Sequence, residues 1–307
     1  MLTGILAGLA AGALWGLVFV APRMLGVGMG EGAYSSMDLT AGRFLAYGAM
    51  AAGVMLFGAI GRQKRRLPSA RQAGAALGMS VLGFSGYYLL LVLAVRDAGT
   101  EVPSLVIGTI PIWVMLLGKP HGLRWRSLLP GLVLTLAGLA LMMDSVHGTL
   151  PSTGGANHFW RGVLFVVCSM LSWTAFAVLN SAWLKRHPEV NATDWANWLG
   201  VATGLSAVAM WLLAGSDLNA LTSRGDRHLF LLICVATGVG SAWLATILWN
   251  IASQRLSASL CGQLIVSETM FALFYSFAWD GRWPTAPQLL ACLLFTAGIV
   301  ASIRAHR

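Results

Sequence analysis

"GILAGLAAGALWG", residues 4–16, sets a glycine at every fourth position, Gly4, Gly8, Gly12 and Gly16, with Trp15 beside the last. In water this would be a poor helix, because each interior glycine costs up to about 1 kcal/mol relative to alanine. The stretch makes sense in a solvent that gives helices no hydrophobic reason to associate. There, close backbone approach holds helices together, and glycines four apart form the groove that permits it. Successive steps of four residues drift by about 40° at 3.6 residues per turn, so the groove spirals slowly around the helix.

The rest of the chain names the same solvent. Of 307 residues, 57% are hydrophobic and only 10% are charged, against about 25% charged in soluble domains. The apolar residues come in blocks separated by short charged knots, the pattern of a polytopic membrane protein. Read block by block, the sequence predicts an all-α fold with ten transmembrane helices, near 3–24, 34–60, 72–95, 100–118, 127–143, 160–184, 193–213, 228–250, 257–278 and 285–303. The first block has no basic leader or small-residue cleavage site and reads as a retained span. The longest connection, "DSVHGTLPSTGGANHF" (144–159), is too short to fold alone.

The net charge of +9 does not point to nucleic acid, because the basic residues sit in the knots between apolar blocks. With the N-terminus inside, 13 of the 20 basic residues fall on the cytoplasmic side and 6 outside, and Arg43 lies within a span. All three lysines, Lys64, Lys119 and Lys185, fall inside. The positive-inside rule then places both termini in the cytoplasm, with the chain in a bacterial inner membrane. Trp125, Trp160, Trp183, Trp195, Trp279 and Trp283 lie at span ends, where an amphipathic ring suits the headgroup zone. Cys168, Cys234, Cys261 and Cys292 sit in apolar blocks without metal-type spacing and read as small fillers.

The two halves resemble one another. At an offset of 158 residues Gly4, Leu6 and Trp15 meet Gly162, Leu164 and Trp173, Gly42 meets Gly200, and Ile107 meets Ile265. Five spans per half is an odd number, so the halves must be inverted relative to each other. The predicted division is 1–145 and 160–307, joined by an outer connection at 146–159. Inverted repeats are a transporter signature, with the substrate site near the midplane between them.

Several stretches carry a family resemblance. "LWG" (14–16) and "LSW" (171–173) stand at repeat-equivalent places, and "AGRFLAYG" (41–48) resembles a second-span arginine motif. "VPSLVIGTIPIWVMLL" supplies a proline-containing fourth span, and "SETMFALF" (267–274) resembles an "E-P-V-x-A-L" ninth span with Thr269 in place of the proline. "GKPHGLRWRSLLPGLVLTLAGLALM" resembles a "G-E…G…L-x-x-x-G" ending, with Lys119 in place of the glutamate. In order and spacing the chain resembles the drug/metabolite transporter superfamily in its ten-helix EamA-type form, over nearly its whole length. Within it, the aromatic-rich inner spans resemble the YddG-type aromatic amino-acid exporters. The resemblance implies export of small metabolites, amino acids among them, by alternating access, with no cofactor. Export of drugs or nucleobase-type metabolites is the alternative.

Few residues can carry chemistry at membrane depth. Arg43 has two readings: a pair with Asp38 or with helix-end carbonyls that fixes the second span, or a contact for anionic groups in the outer half of the pathway. Glu268 likewise is either a packing residue or a cavity carboxylate that meets a substrate ammonium or a proton. Trp15, Tyr87, Tyr88, Trp113, Trp173 and Trp249 are the rings not explained as interfacial anchors. Trp15 and Phe19 share a helix face, as do Trp173 and Asn180. Such rings suit an aromatic side chain or, by cation–π attraction, an ammonium. Asn180, Asn250 and Gln263 offer neutral hydrogen-bonding groups. Pro111, which removes a backbone hydrogen bond in mid-span, forms with Gly108 the candidate hinge. An intramembrane enzyme would need paired acids or a His/Glu metal cluster, and the six histidines all lie in loops or at span ends.

Overall fold

The computed structural model describes residues 1–25, 34–60, 67–99, 101–120, 122–144, 156–217, 219, 221, 224, 226–281 and 283–306. Arg62, Lys64, Arg65, Arg66, Arg282 and Arg307, with Thr100, His121, His147 and most of the 146–159 connection, lie outside these residues. Among the described residues every regular element is helical. The apolar helical segments are α1 (Leu2–Met24), α2 (Ser36–Ile60), α3 (Ala70–Ala98), α4 (Glu101–Gly108 and Ile110–Leu117), α5 (Trp125–Asp144), α6 (Ala156–Arg186), α7 (Ala192–Ala214), α8 (Arg227–Arg255), α9 (Ala258–Asp280) and α10 (Ala286–Ala305). Eight of them are long and apolar enough to cross a bilayer, and α4 and α5 contribute shorter apolar stretches at Val106–Leu117 and Trp125–Leu141. The protein is a polytopic membrane protein.

Polar caps start several of these helices. Ser69 and Gln72 form a capping box on α3, the Asn191 side chain accepts from the Asp194 N–H at the start of α7, and the Ser257 side chain accepts from the Leu260 N–H on α9. Each satisfies a backbone N–H that the first helical turn leaves without a partner. The fourth segment breaks at Thr109, one residue after Gly108, and restarts at Ile110 with Pro111 in its first turn. Two segments carry π-helical turns, Val81–Ser85 in α3 and Thr237–Leu244 in α8. Moved by the 158-residue offset, the first lies within the second. Such turns are rare and are frequently found at functional sites.

The glycines of the opening stretch all face one side. Along α1 a methyl on Gly4 would strike Leu256, on Gly8 Leu264, on Gly12 Ser267, and on Gly16 the Ala272 backbone. The order of contacts shows that α1 and α9 run parallel. Gly42 meets Cys234 and Gly238 meets Ala46, so α2 and α8 run parallel too, whereas other close approaches join antiparallel helices. Gly48 of α2 meets Gly204 of α7, and Gly131 and Gly138 of α5 meet Ser302 and Phe295 of α10. Gly162 of α6 lies on Ala98 of α3, and Gly262 and Gly118 bring α9 against α4. At that last crossing the Ser259 N–H donates to the Gly118 carbonyl at 3.0 Å, a backbone bond between two helices. The extensive helix pairs are α2 with α7, α5 with α10, α3 with α6, α1 with α8, α2 with α8, α1 with α9, and α4 with α9.

One interfacial assignment changes. Trp125, Trp160, Trp279 and Trp283 are exposed, but Trp195 is fully buried, stacked on Trp183 with ring centroids 3.7 Å apart. Its place near a helix end is internal in the fold, because α7 packs against α2, α3 and α8 on several sides.

A methyl on Gly48 would sit 2.6 Å from the Gly204 Cα, whereas one on Gly53 would meet nothing within 4 Å. Gly48→Ala should therefore destabilise the fold by about 1–3 kcal/mol, the range for overpacking. Gly53→Ala on the same helix should leave the melting temperature in detergent equal or slightly higher, because alanine is the better helix former.

Candidate functional site

Three tryptophans from three helices meet inside the bundle. Trp15 of α1 lies with its ring centroid 6.0 Å from Trp173 of α6 and 5.2 Å from Trp249 of α8, and Trp173 and Trp249 are 6.1 Å apart. These are edge-to-face and tilted contacts, the arrangements that ring quadrupoles favour. Trp249 is buried, while Trp15 and Trp173 are half-buried and keep free ring surface. The indole N–H of Trp249 has no hydrogen-bond partner. The rings continue from Trp173 to Phe176, Phe84 and Phe44, and from there to Tyr88 and Tyr87.

Arg43 caps this array. Its guanidinium carbon lies 4.2 Å from the Tyr88 ring centroid and 4.8 Å from that of Phe44. The residue is 7% exposed, its Nε has no hydrogen bond, and among the described residues it has no ion pair. The Asp38 pairing considered from the sequence is not made. Asp38 instead accepts from the Ser216 N–H at 2.8 Å and from its hydroxyl at 2.7 Å, and pairs with Arg224 at 3.1 Å. Arg224 lies beyond α7, in the connection that folds back over the start of α2, and the sequence spacing gave no sign of that return.

Glu268 lies ten residues into α9, about 15 Å along the helix at 1.5 Å per residue. A methyl on Gly12 would lie 3.2 Å from its backbone nitrogen, so α1 holds this turn of α9 closely. Arg43 is the charge that acts on the Glu268 carboxyl, and the Tyr87 phenol feels both. Among the described residues Arg43 and Glu268 form no direct ion pair.

The neutral polar residues have other partners. Asn180 donates to Asn250 at 3.1 Å and accepts from the Trp195 indole N–H at 2.7 Å, and Asn250 donates to the Ala192 carbonyl at 3.4 Å. Both are fully buried and tie α6, α7 and α8 together. Gln263 donates to Thr135 at 2.9 Å and accepts from Ser302 at 3.2 Å, tying α9 to α5 and α10. Helical spacing allows each to face either a cavity or a neighbour, and here each faces a neighbour. Phe19 lies one 3-10 turn beyond Trp15 and is 55% exposed, off the shared face. Trp113 is exposed, donates to Thr109, and makes no ring contact with the array among the described residues.

Phe44, Phe84 and Phe176 belong to the array and were not among the sequence candidates. Their spacing carries the signal. Phe176 is three residues past Trp173, Phe84 is four before Tyr88, and Phe44 is next to Arg43. Among the described residues no group of His, Cys, Asp and Glu could hold a metal ion.

Comparisons with known proteins agree with this architecture. The EamA-like transporter family is matched twice, over residues 2–144 and 160–304. The chain is 31% identical to "Inner membrane protein YtfF" of Escherichia coli (strain K12), over 99% of this chain and 96% of the relative. It is 23% identical to "Uncharacterized transporter YdfC" of Bacillus subtilis (strain 168), over 89% and 84%. A solved crystal structure shares the fold with a TM-score of 0.75 at 20% identity, covering 99% of this chain and 98% of the other. The chain belongs to the EamA-like transporter family, within the drug/metabolite transporter superfamily.

The geometry separates rings with free surface from residues that tie helices together. Asn180→Ala leaves the Trp195 N–H and the Asn250 amide short of partners, which should cost about 1–3 kcal/mol of stability. Protein that still folds should keep its half-saturating substrate concentration. Trp15→Ala should do the reverse, retaining the melting temperature within a few degrees while raising that concentration at least tenfold for aromatic solutes.

Proposed function

We propose that this EamA-like transporter is a secondary exporter of small metabolites, amino acids with aromatic side chains foremost, working by alternating access between two inverted five-helix halves. The observation that carries the reading is the meeting of Trp15, Trp173 and Trp249 in an array that reaches a buried arginine with no ion pair among the described residues. Rings on several sides fit an aromatic side chain. Arg43 fits the carboxylate of an amino acid and Glu268 its ammonium, with a proton as a candidate co-substrate at the same carboxyl.

The repeat reading has its own support. Helices that correspond under the 158-residue offset, α2 with α7 and α4 with α9, pack on one another in antiparallel directions. The π-helical turns fall at matching places. The family is matched once per half. A frame of ten crossings with both termini cytoplasmic fits the basic-residue asymmetry, and the naming of the Escherichia coli relative supports an inner-membrane location. On that orientation the Gly118–Ser259 crossing closes the cytoplasmic end.

Reconstituted protein in vesicles loaded with a panel of metabolites tests the function. Aromatic amino acids should leave fastest and compete with one another, with Trp173→Ala lowering their flux at least tenfold. Absence of flux for every amino acid in the panel would overturn the substrate class.

The helix break at Gly108–Pro111 is proposed as the hinge. Pro111→Ala restores the option of a continuous α4, and we expect turnover to fall several-fold while equilibrium binding changes less than twofold, because gating motions often limit transport and catalysis alike. Wild-type turnover in a normally folded Pro111→Ala protein would make the break a fixed kink.

A further inference from the structure

Arg43 and Glu268 are not equivalent as recognition groups. A guanidinium stays charged under all physiological conditions, whereas a carboxyl can become neutral by taking up a proton. Arg43 is also held in place without using its donors. Its plane rests against the Tyr88 and Phe44 rings at 4.2 and 4.8 Å, and its Nε has no hydrogen bond. The nearest acid along its own helix, Asp38, is engaged by Ser216, Ser35 and Arg224. The fork of N–H groups is thus free for a bidentate carboxylate, the arrangement that makes arginine–carboxylate contacts strong and directional. Glu268, unlike Arg43, can become neutral by taking up a proton, so a ligand without an ammonium leaves no permanent charge unpaired there.

We infer that the site requires a carboxylate and tolerates the loss of the amino group, so that it also accepts aryl monocarboxylates, the deaminated counterparts of aromatic amino acids, and rejects the corresponding aryl amines. The carboxylate lies on Arg43 and the ring against Trp15 and Trp173. This deepens the exporter reading and rests on it.

The test uses the purified full chain in detergent and three probes that share one ring system and differ in charge: tryptophan, indole-3-acetate and tryptamine. Binding by titration calorimetry should give dissociation constants for tryptophan and indole-3-acetate within about tenfold of each other, and for tryptamine at least tenfold weaker than both. Arg43→Gln should weaken indole-3-acetate at least tenfold, and Arg43→Lys should recover part of the loss. Glu268→Gln should weaken tryptophan more than indole-3-acetate. The comparison among probes on the wild-type chain holds even where a variant fails to fold. Tryptophan binding without indole-3-acetate binding would overturn this inference and leave the amino-acid reading intact. Tryptamine binding as tightly as indole-3-acetate would overturn it as well. Binding of none of the three would remove the aromatic reading of the site and this inference with it.

Discussion

Inside a bilayer the lipid tails are as apolar as any side chain, so helices gain association from contact alone. The fold depends on backbones coming close at a few crossings, and glycine is what allows it. Gly12 and Gly16 admit α9 to α1, Gly48 and Gly204 face each other between α2 and α7, and Gly262 and Gly118 bring α4 to α9. Where the backbones touch, large side chains have no room. The bulky rings therefore gather where the helices separate, and Trp15, one residue before Gly16, shows the change from one regime to the other within a single turn.

The same solvent governs the polar groups. Away from water, an unpaired donor is costly, and side chains pair across helices to avoid it. Asn180 with Asn250 and Trp195, Gln263 with Thr135 and Ser302, Ser80 with Thr203, and Trp243 with Asn197 are all such pairs. The hydroxyls of Thr174, Ser241, Thr246, Ser253 and Ser259 lack partners too, but each is a small neutral rotor. Arg43 Nε differs in belonging to a permanent charge, and Trp249 Nε1 in belonging to the tryptophan triangle. The Asn197 amide nitrogen and His306 Nε2 also lack partners, so Arg43 and Trp249 are set apart by their place in the ring array and not by an open donor alone.

How far the sequence foretold this differs by feature. The helical segments follow from apolar blocks and charged knots, because both report on the solvent directly. Trp15 and Trp173 could be matched because the offset preserves position, and they do meet. The struts could not be told from the site. Asn180 falls on the face of Trp173 by helical spacing, yet seven residues is about 10 Å along the axis, and at that depth the same face meets a different neighbour. The π-helical turns left no trace, since at the 158-residue offset only Val81 and Val239 agree between the two turns while Leu82–Ser85 and Gly240–Trp243 differ at all four positions. The Asp38 contacts depend on a connection returning over the helix start, a long-range event that local patterning does not encode.

The proposed inverted frame and its charges stand in an instructive relation. Trp15 has a counterpart in Trp173, and the π-helical turn of α3 has one in α8. At the same offset Arg43 corresponds to Val201 and Glu268 to Ile110, so neither charge is repeated. A symmetric frame supplies two end states of similar energy, which alternating access requires. A duplicated charge would place two like charges at one midplane and bury an unpaired one in each state, at a cost of several kcal/mol. One arginine from the first half and one glutamate from the second avoid that cost, and on the proposed reading of the site they would give it a fixed polarity, with a carboxylate end toward α2 and an ammonium end toward α9. The rings can then be shared by both halves while the charges orient the substrate, which reconciles a repeated scaffold with a site that distinguishes one end of its ligand from the other.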